Sequence, residues 1–204
     1  MSHSIIPSFE QDKNKLYLDH KSFLLATLEL SEMVQQWEIE HNVKFTRIVG
    51  APRGALELMS RMSQLMLLKG PDVIAVQSSA YDENNNRTPE TYSRVPDPST
   101  VKGEHCLLVD DVSDTGKGEK SIVDALQASG AASVTTLDWY YKPNKNMTGI
   151  APDIYLEETD EWIVFPWEIS EQYALALKKL NSEGANPEQR AELKLNFKKS
   201  QGLG

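Results

Sequence analysis

Asp110 and Asp111 stand at the end of the apolar run Leu107-Leu108-Val109, and the small polar segment Ser113-Asp114-Thr115-Gly116-Lys117-Gly118 follows almost at once. Two adjacent ionised carboxylates offer only hydrogen-bond acceptors, so they match a donor-rich partner such as vicinal hydroxyls, or a hydrated divalent cation. Their mutual repulsion calls for such a partner. Beyond them, Thr115 to Gly118 lead into a helix with apolar positions Ile122, Val123, Ala125 and Leu126 and Gly130 as its C-terminal stop. The free N–H groups at such a helix start would hold a phosphate, and Gly116 and Gly118 would let the backbone approach it. The chemistry implied is recognition of a sugar diol beside a phosphate.

The surrounding elements must bring these groups to one edge. A short continuous apolar run is expected of a strand buried on both faces of a parallel sheet, which sets the acidic pair at its carboxyl end, the ligand-binding edge of open α/β sheets. Earlier strands are expected near residues 15–18, 45–49 and 72–78, and a later one over 133–137. A helix over 22–40 carries Leu24, Leu25, Leu28, Met33, Val34 and Trp37, and one over 54–68 turns Leu58, Met59, Met62, Leu65 and Met66 inward. This alternation predicts an α/β fold with a doubly wound, mainly parallel sheet. Residues 79–100, with Asn84-Asn85-Asn86-Arg87 and three prolines, read as a long mobile loop. Two helices are expected after Glu168, over 170–180 and from Pro187 to Lys199 with Asn186 as N-cap. The main domain is accordingly drawn over 1–169, with 170–204 as a C-terminal helical extension. The basic face of its second helix, Arg190, Lys194, Lys198 and Lys199, reads as solvated.

Several other chemistries are excluded. A Walker loop would need Gly at position 111 and Ser or Thr at 118, where this chain has Asp111 and Gly118, and no Gly-x-Gly-x-x-Gly fingerprint is present. The four histidines show no metal-ligand spacing, and the single cysteine, Cys106, reads as a buried strand residue. A net charge of −9 opposes a nucleic-acid backbone, so nucleic acid is not an expected partner. No apolar stretch approaches membrane-spanning length and the N-terminus lacks the regions of a secretory signal, so a cytoplasmic protein is expected, with no membrane partner.

The acidic pair with Asp114 to Gly118 resembles the phosphoribosyl pyrophosphate (PRPP) motif of type I phosphoribosyltransferases. Val49-Gly50-Ala51-Pro52-Arg53-Gly54-Ala55-Leu56 resembles that family's pyrophosphate loop. Tyr141-Lys142-Pro143 resembles its base-reading lysine, and Glu161-Trp162-Ile163-Val164-Phe165-Pro166-Trp167-Glu168 resembles the terminal base-binding segment of the xanthine-guanine and hypoxanthine enzymes. The pieces occur in order from about Arg47 to Glu168. Two positions of the phosphate loop, and two of the terminal segment, depart from the pattern. Gly118 stands where a hydroxyl residue is usual, and Lys117 where Gly or Ala is usual. Val164 and Phe165 are less polar than their usual counterparts, which leaves the choice among oxopurines open.

The resemblance implies transfer of ribose 5-phosphate from PRPP to a 6-oxopurine (hypoxanthine, guanine or xanthine) in purine salvage, giving a nucleoside monophosphate and pyrophosphate. It implies PRPP contacts from Asp110, Asp111, Asp114, Thr115, Gly116, Lys117, Gly118, Arg53 and Gly54, with Asp114 on the base side of the chemistry. Lys142 would donate to the purine 6-oxo oxygen, Trp162 would stack on the ring and Ile163 would offer backbone hydrogen bonds. Mg²⁺ is the implied cofactor, at Asp111 with Asp110 as a second candidate, partly through water. A small base-binding hood, a flexible loop closing over the substrate at 79–100, and a homo-oligomer are further implications. Two alternatives stay open: a PRPP- or nucleotide-sensing regulator with little turnover, and a phosphoribosyltransferase for another base.

Overall fold

The computed structural model describes residues 13–81 and 87–200. In chain order these form β1 (Lys15–Tyr17), α1 (His20–Glu40), β2 (Arg47–Gly50), α2 (Ala55–Leu65), β3 (Val73–Ala75), β4 (Gln77–Tyr81) and β5 (Arg87–Arg94). There follow β6 (His105–Ser113), α3 (Lys117–Ala128), β7 (Ser133–Tyr141), β8 (Ile154–Glu158), β9 (Trp162–Val164), α4 (Pro166–Ser182) and α5 (Pro187–Ser200). The chain divides into two compact units, Leu24–Asp160 and a second assembled from the segments Met1–Phe23 and Glu161–Gly204.

The larger unit is built on a five-stranded, all-parallel sheet ordered β3-β2-β6-β7-β8. Its first strand in the chain, β2, lies between the second, β3, and the third, β6. This is a doubly wound order whose switch point falls between β2 and β6, where such sheets open a crevice for ligands. Helices cover both faces. On one, α2 lies so close to β2 that a Cβ on Gly50 would stand 2.6 Å from Met59 Sδ and 2.7 Å from the Val109 carbonyl oxygen. On the other, Ile122 and Leu126 of α3 pack with Val49, Cys106 and Leu108. Burial pushes the Cys106 thiol pKa up to about 11, as suits an inert strand residue. At the amino edge of the sheet Arg47 pairs with Asp72 at 3.1 Å and Glu104 at 2.9 Å.

Two expectations are corrected, and one helix is resolved. Strand β6 does not stop before the acidic pair but runs on to Ser113, and β7 continues past Leu137 to Tyr141, because the two ladder together through Ser113 and Tyr141. Within 79–100, β4 and β5 form an antiparallel hairpin in place of a structureless loop, and residues 82–86 of that segment lie outside the described residues. In α1 the core side is Phe23, Ala26, Leu30 and Val34, whereas Leu24, Leu25, Leu28 and Met33 are exposed. Both sides of that helix are apolar, so periodicity alone does not identify the inner one.

The smaller unit joins β1 and β9 in a parallel pair, with Leu16 opposite Ile163. Helices α4 and α5 form a hairpin around Leu180, Ala185 and Leu193, with Tyr173, Ala176 and Leu177 against them. Asn186 caps α5 as expected, its Oδ1 accepting from Gln189 N at 2.9 Å while Gln189 Oε1 accepts from Asn186 N. Among the described residues no helix is long and apolar enough to cross a membrane.

Candidate functional site

The two strands flanking the switch point set the first site residues. β2 ends at Gly50, and the chain turns through Pro52 and Arg53, joined by a cis peptide, into Gly54 and the first turn of α2. Arg53 is exposed. A Cβ on Gly54 would stand 2.7 Å from an Asp111 carboxylate oxygen, so only a glycine lets this turn rest against that acid. Asp111 itself is 9% exposed.

Because β6 runs through the acidic pair, strand alternation sends its two side chains to opposite faces. Asp111 faces the Gly54 turn. Asp110 lies level with Asp138 of β7, its Oδ1 accepting from the Asp111 backbone N–H at 3.0 Å. Loss of water, and then the charge of Asp111, push the Asp110 carboxyl well above the usual carboxylate range. The expected patch at a strand terminus is thus two acids inside an extended strand, beyond the point where β2 stops pairing with it.

Asp114, Thr115 and Gly116 form the turn into α3. Gly116 is the N-cap, at φ 72, and as a glycine supplies no side-chain cap to the first amides of α3, a helix start of the kind that suits an anion. A Cβ at Gly116 would meet Thr148 Oγ1 at 2.8 Å, whereas one at Gly118 would meet nothing. No protein atom therefore requires a glycine at position 118. Lys117 opens α3 and is exposed.

Lys142 follows β7 and is only 5% exposed, its backbone N–H donating to Ser113 O at 3.0 Å. Burial lowers its pKa from the ordinary lysine value, and the chief opposing influence is the carboxylate of Asp114. The lysine and that aspartate are thus electrostatic neighbours. Trp162 and Ile163 belong to the smaller unit, on β9, where Trp162 is 63% exposed and Ile163 is buried.

Residues not foreseen from the sequence support this edge. Ser113 Oγ donates to Glu119 at 2.7 Å, which ties the strand end to the first turn of α3. Asp138 is 1% exposed, with no hydrogen-bond partner for Oδ1 among the described residues. A lone acid between Leu137 and Trp139 was the available signal in the sequence. Desolvation, then Glu119 and Asp110, push its carboxyl well above the usual range. A carboxyl with a raised folded pKa contributes stability below its unfolded pKa and loses that contribution as pH rises through the folded value. Asp138→Asn is therefore expected to unfold at higher temperature than wild type at pH 8, with the gain shrinking toward pH 4. Melting curves that keep a constant offset across that range would contradict the assignment.

Among the described residues no group of three or more His, Cys, Asp or Glu side chains could hold a metal by itself. The donor set at the crevice is one or two carboxylates. Such a set fits Mg²⁺ shared with substrate oxygens, the usual arrangement for an ion that keeps much of its water.

Comparison with known proteins places this geometry in context. The model of the phosphoribosyl transferase domain matches residues 19–174. A xanthine-guanine phosphoribosyltransferase of Cereibacter sphaeroides is 28% identical over 135 residues, 65% of this chain and 74% of its own. The purine phosphoribosyltransferase of Pyrococcus horikoshii superposes with a TM-score of 0.58 at 28% identity, over 76% of this chain and 94% of that one. The xanthine-guanine-hypoxanthine phosphoribosyltransferase of Helicobacter pylori reaches a TM-score of 0.62 at 22% identity, over 82% and 99%, a likeness of fold.

Proposed function

Since this chain belongs to the phosphoribosyl transferase domain family, and is thereby a glycosyl-transferring enzyme, we propose that it moves ribose 5-phosphate from PRPP to N9 of a 6-oxopurine in purine salvage. The observation that carries this reading is the approach of the Gly54 turn to Asp111 at the switch point. It joins the candidate pyrophosphate turn to the candidate ribose-binding strand.

Each residue then has a task. The first amides of α3, from the turn Thr115 to Gly118, would receive the 5′-phosphate, with Lys117 supplying charge where the family pattern lacks it. Asp111, on the Gly54 side of β6, would accept from the ribose hydroxyls and favour the positive charge that builds on the sugar ring as its anomeric bond breaks. The Arg53 fork and the Gly54 turn would hold the departing pyrophosphate. Mg²⁺, when held at Asp111, would neutralise pyrophosphate charge. Asp114 would accept the purine proton, or hold it by hydrogen bond, while N9 attacks. Lys142 would donate to the 6-oxo oxygen, a position at which adenine presents a donor instead. Trp162 would offer its exposed indole face to the ring, and Ile163 its backbone to the base edge.

The test is pyrophosphate release from PRPP and Mg²⁺ with hypoxanthine, guanine, xanthine, adenine, orotate and uracil in turn. Release with one or more of the first three, well above that with adenine, is expected. Tight PRPP binding with silence toward every base would replace the enzyme by a sensor, and release with orotate or uracil alone would move it to another base class.

A further inference from the structure

The turn after Lys142 is fastened to the phosphate loop at two backbone points. Lys142 N–H donates to Ser113 O at 3.0 Å, and Met147 N–H donates to Thr115 O at 2.9 Å. Between them the chain folds tightly on itself, with the N–H groups of Lys145 and Asn146 both donating to Lys142 O at 3.1 Å. One side chain organises the rest. Asn146 Oδ1 accepts from Thr148 N at 2.8 Å, Thr148 Oγ1 at 2.9 Å and Gly149 N at 2.9 Å, while its Nδ2 donates to Ile150 O at 2.8 Å.

These bonds alone would describe a well-made loop. What extends their reach is where the asparagine and its partner lie. A Cβ on Gly116 would stand 2.8 Å from Thr148 Oγ1 and 3.1 Å from Asn146 Nδ2, so this pair packs directly against the N-cap of α3. The same turn carries Lys142 at its start. One short segment therefore touches the phosphate-loop backbone on one side and presents the buried lysine on the other.

We propose that Asn146 is a positioning residue, which latches the 142–150 turn onto the phosphate loop and so sets Lys142 relative to the bound sugar phosphate. This rests on the reading of Lys142 as the base-recognising group. The phosphate loop has anchors of its own, in strand β6, helix α3 and the Ser113–Glu119 bond. Beyond its two backbone bonds to that loop, the 146–150 half of the turn is held by the Asn146 side chain. Loss of the amide should thus displace the lysine and leave the phosphate amides nearly in place. An interaction equally strong in ground and transition states appears in KM when removed, with kcat preserved.

The experiment is steady-state kinetics on the full chain with PRPP, Mg²⁺ and the best 6-oxopurine, for wild type, Asn146→Ala, Lys142→Met and the double variant. Asn146→Ala is expected to raise KM for the purine about tenfold, with kcat and KM for PRPP each within about threefold of wild type. In the Lys142→Met background the same change should raise purine KM by less than about twofold. Should Asn146→Ala fail to fold, Thr148→Val, which is close to isosteric and removes one bond to Asn146, is expected to shift purine KM about threefold in the same direction. An equal rise in purine KM with and without Lys142, or a loss confined to kcat or to PRPP, overturns the positioning role while leaving the enzyme's activity intact. A wild-type chain silent with every purine overturns the functional reading itself, and this inference with it.

Discussion

Asp114→Ala is expected to lower kcat by about 10²- to 10⁴-fold, the usual span for loss of a positioned proton acceptor. The loss of PRPP affinity should be modest. Asp114 sits in the turn between β6 and α3, and the phosphate contacts assigned to that turn come from backbone amides the substitution leaves in place. Calorimetric titration of PRPP with Mg²⁺ into the variant, beside single-turnover measurements with the purine, separates the two quantities. Turnover within about threefold of wild type would remove Asp114 from the chemistry, and a kcat loss matched by an equal loss of PRPP affinity would make it a loop-ordering residue.

Lys142→Met should have the next largest effect. A hydrogen bond to a charged group is worth about 1.5 to 3 kcal/mol, so kcat/KM for a 6-oxopurine is expected to fall roughly 10- to 150-fold. Turnover with adenine, already low, should change little. The lysine also sets a pH dependence. Burial moves its pKa below the ordinary 10.5, so the ammonium is lost earlier than usual as pH rises. The wild-type kcat/KM for the purine should accordingly decline along an alkaline limb whose midpoint lies below 10.5, and the Met variant should lack that limb. An identical limb in both proteins would assign the titration to another group.

Much of this site was legible in the sequence because its pieces are local. The acidic pair, the Asp-Thr-Gly turn, the Pro-Arg-Gly turn and Tyr-Lys-Pro each identify a short backbone shape, and their order matches the order in which a doubly wound sheet delivers its strand ends to one edge. Less legible was anything that depends on polar residues inside strands. Asp110, Asp111 and Ser113 look like the start of a loop, yet they extend β6, because β7 supplies a ladder as far as Tyr141 whatever the side chains are. The same blindness hid β4 and β5, whose sequences Gln77–Tyr81 and Arg87–Arg94 lack the apolar alternation of a half-buried strand. The inner side of helix α1 was not legible either, since Leu24, Leu25 and Leu28 compete with Phe23, Leu30 and Val34 for it and only packing decides between them. Asn146 left no trace in periodicity or motif. Its role arises from a turn returning to a loop some thirty positions earlier, a proximity that sequence does not display.

The passage of β6 through both aspartates makes the crevice sensitive to parity. One residue inserted between Leu107 and Asp110 would exchange their sides, delivering Asp110 toward the Gly54 turn and turning Asp111 to the opposite face, level with Tyr140 of β7, while every chemical group survived unchanged. An insertion of two would restore the original sides at the expense of register with β7. Descendants of this chain are thus free to vary in length in the hairpin and in the terminal helices, but along this strand only substitution, not insertion, leaves the two carboxylates facing as they do.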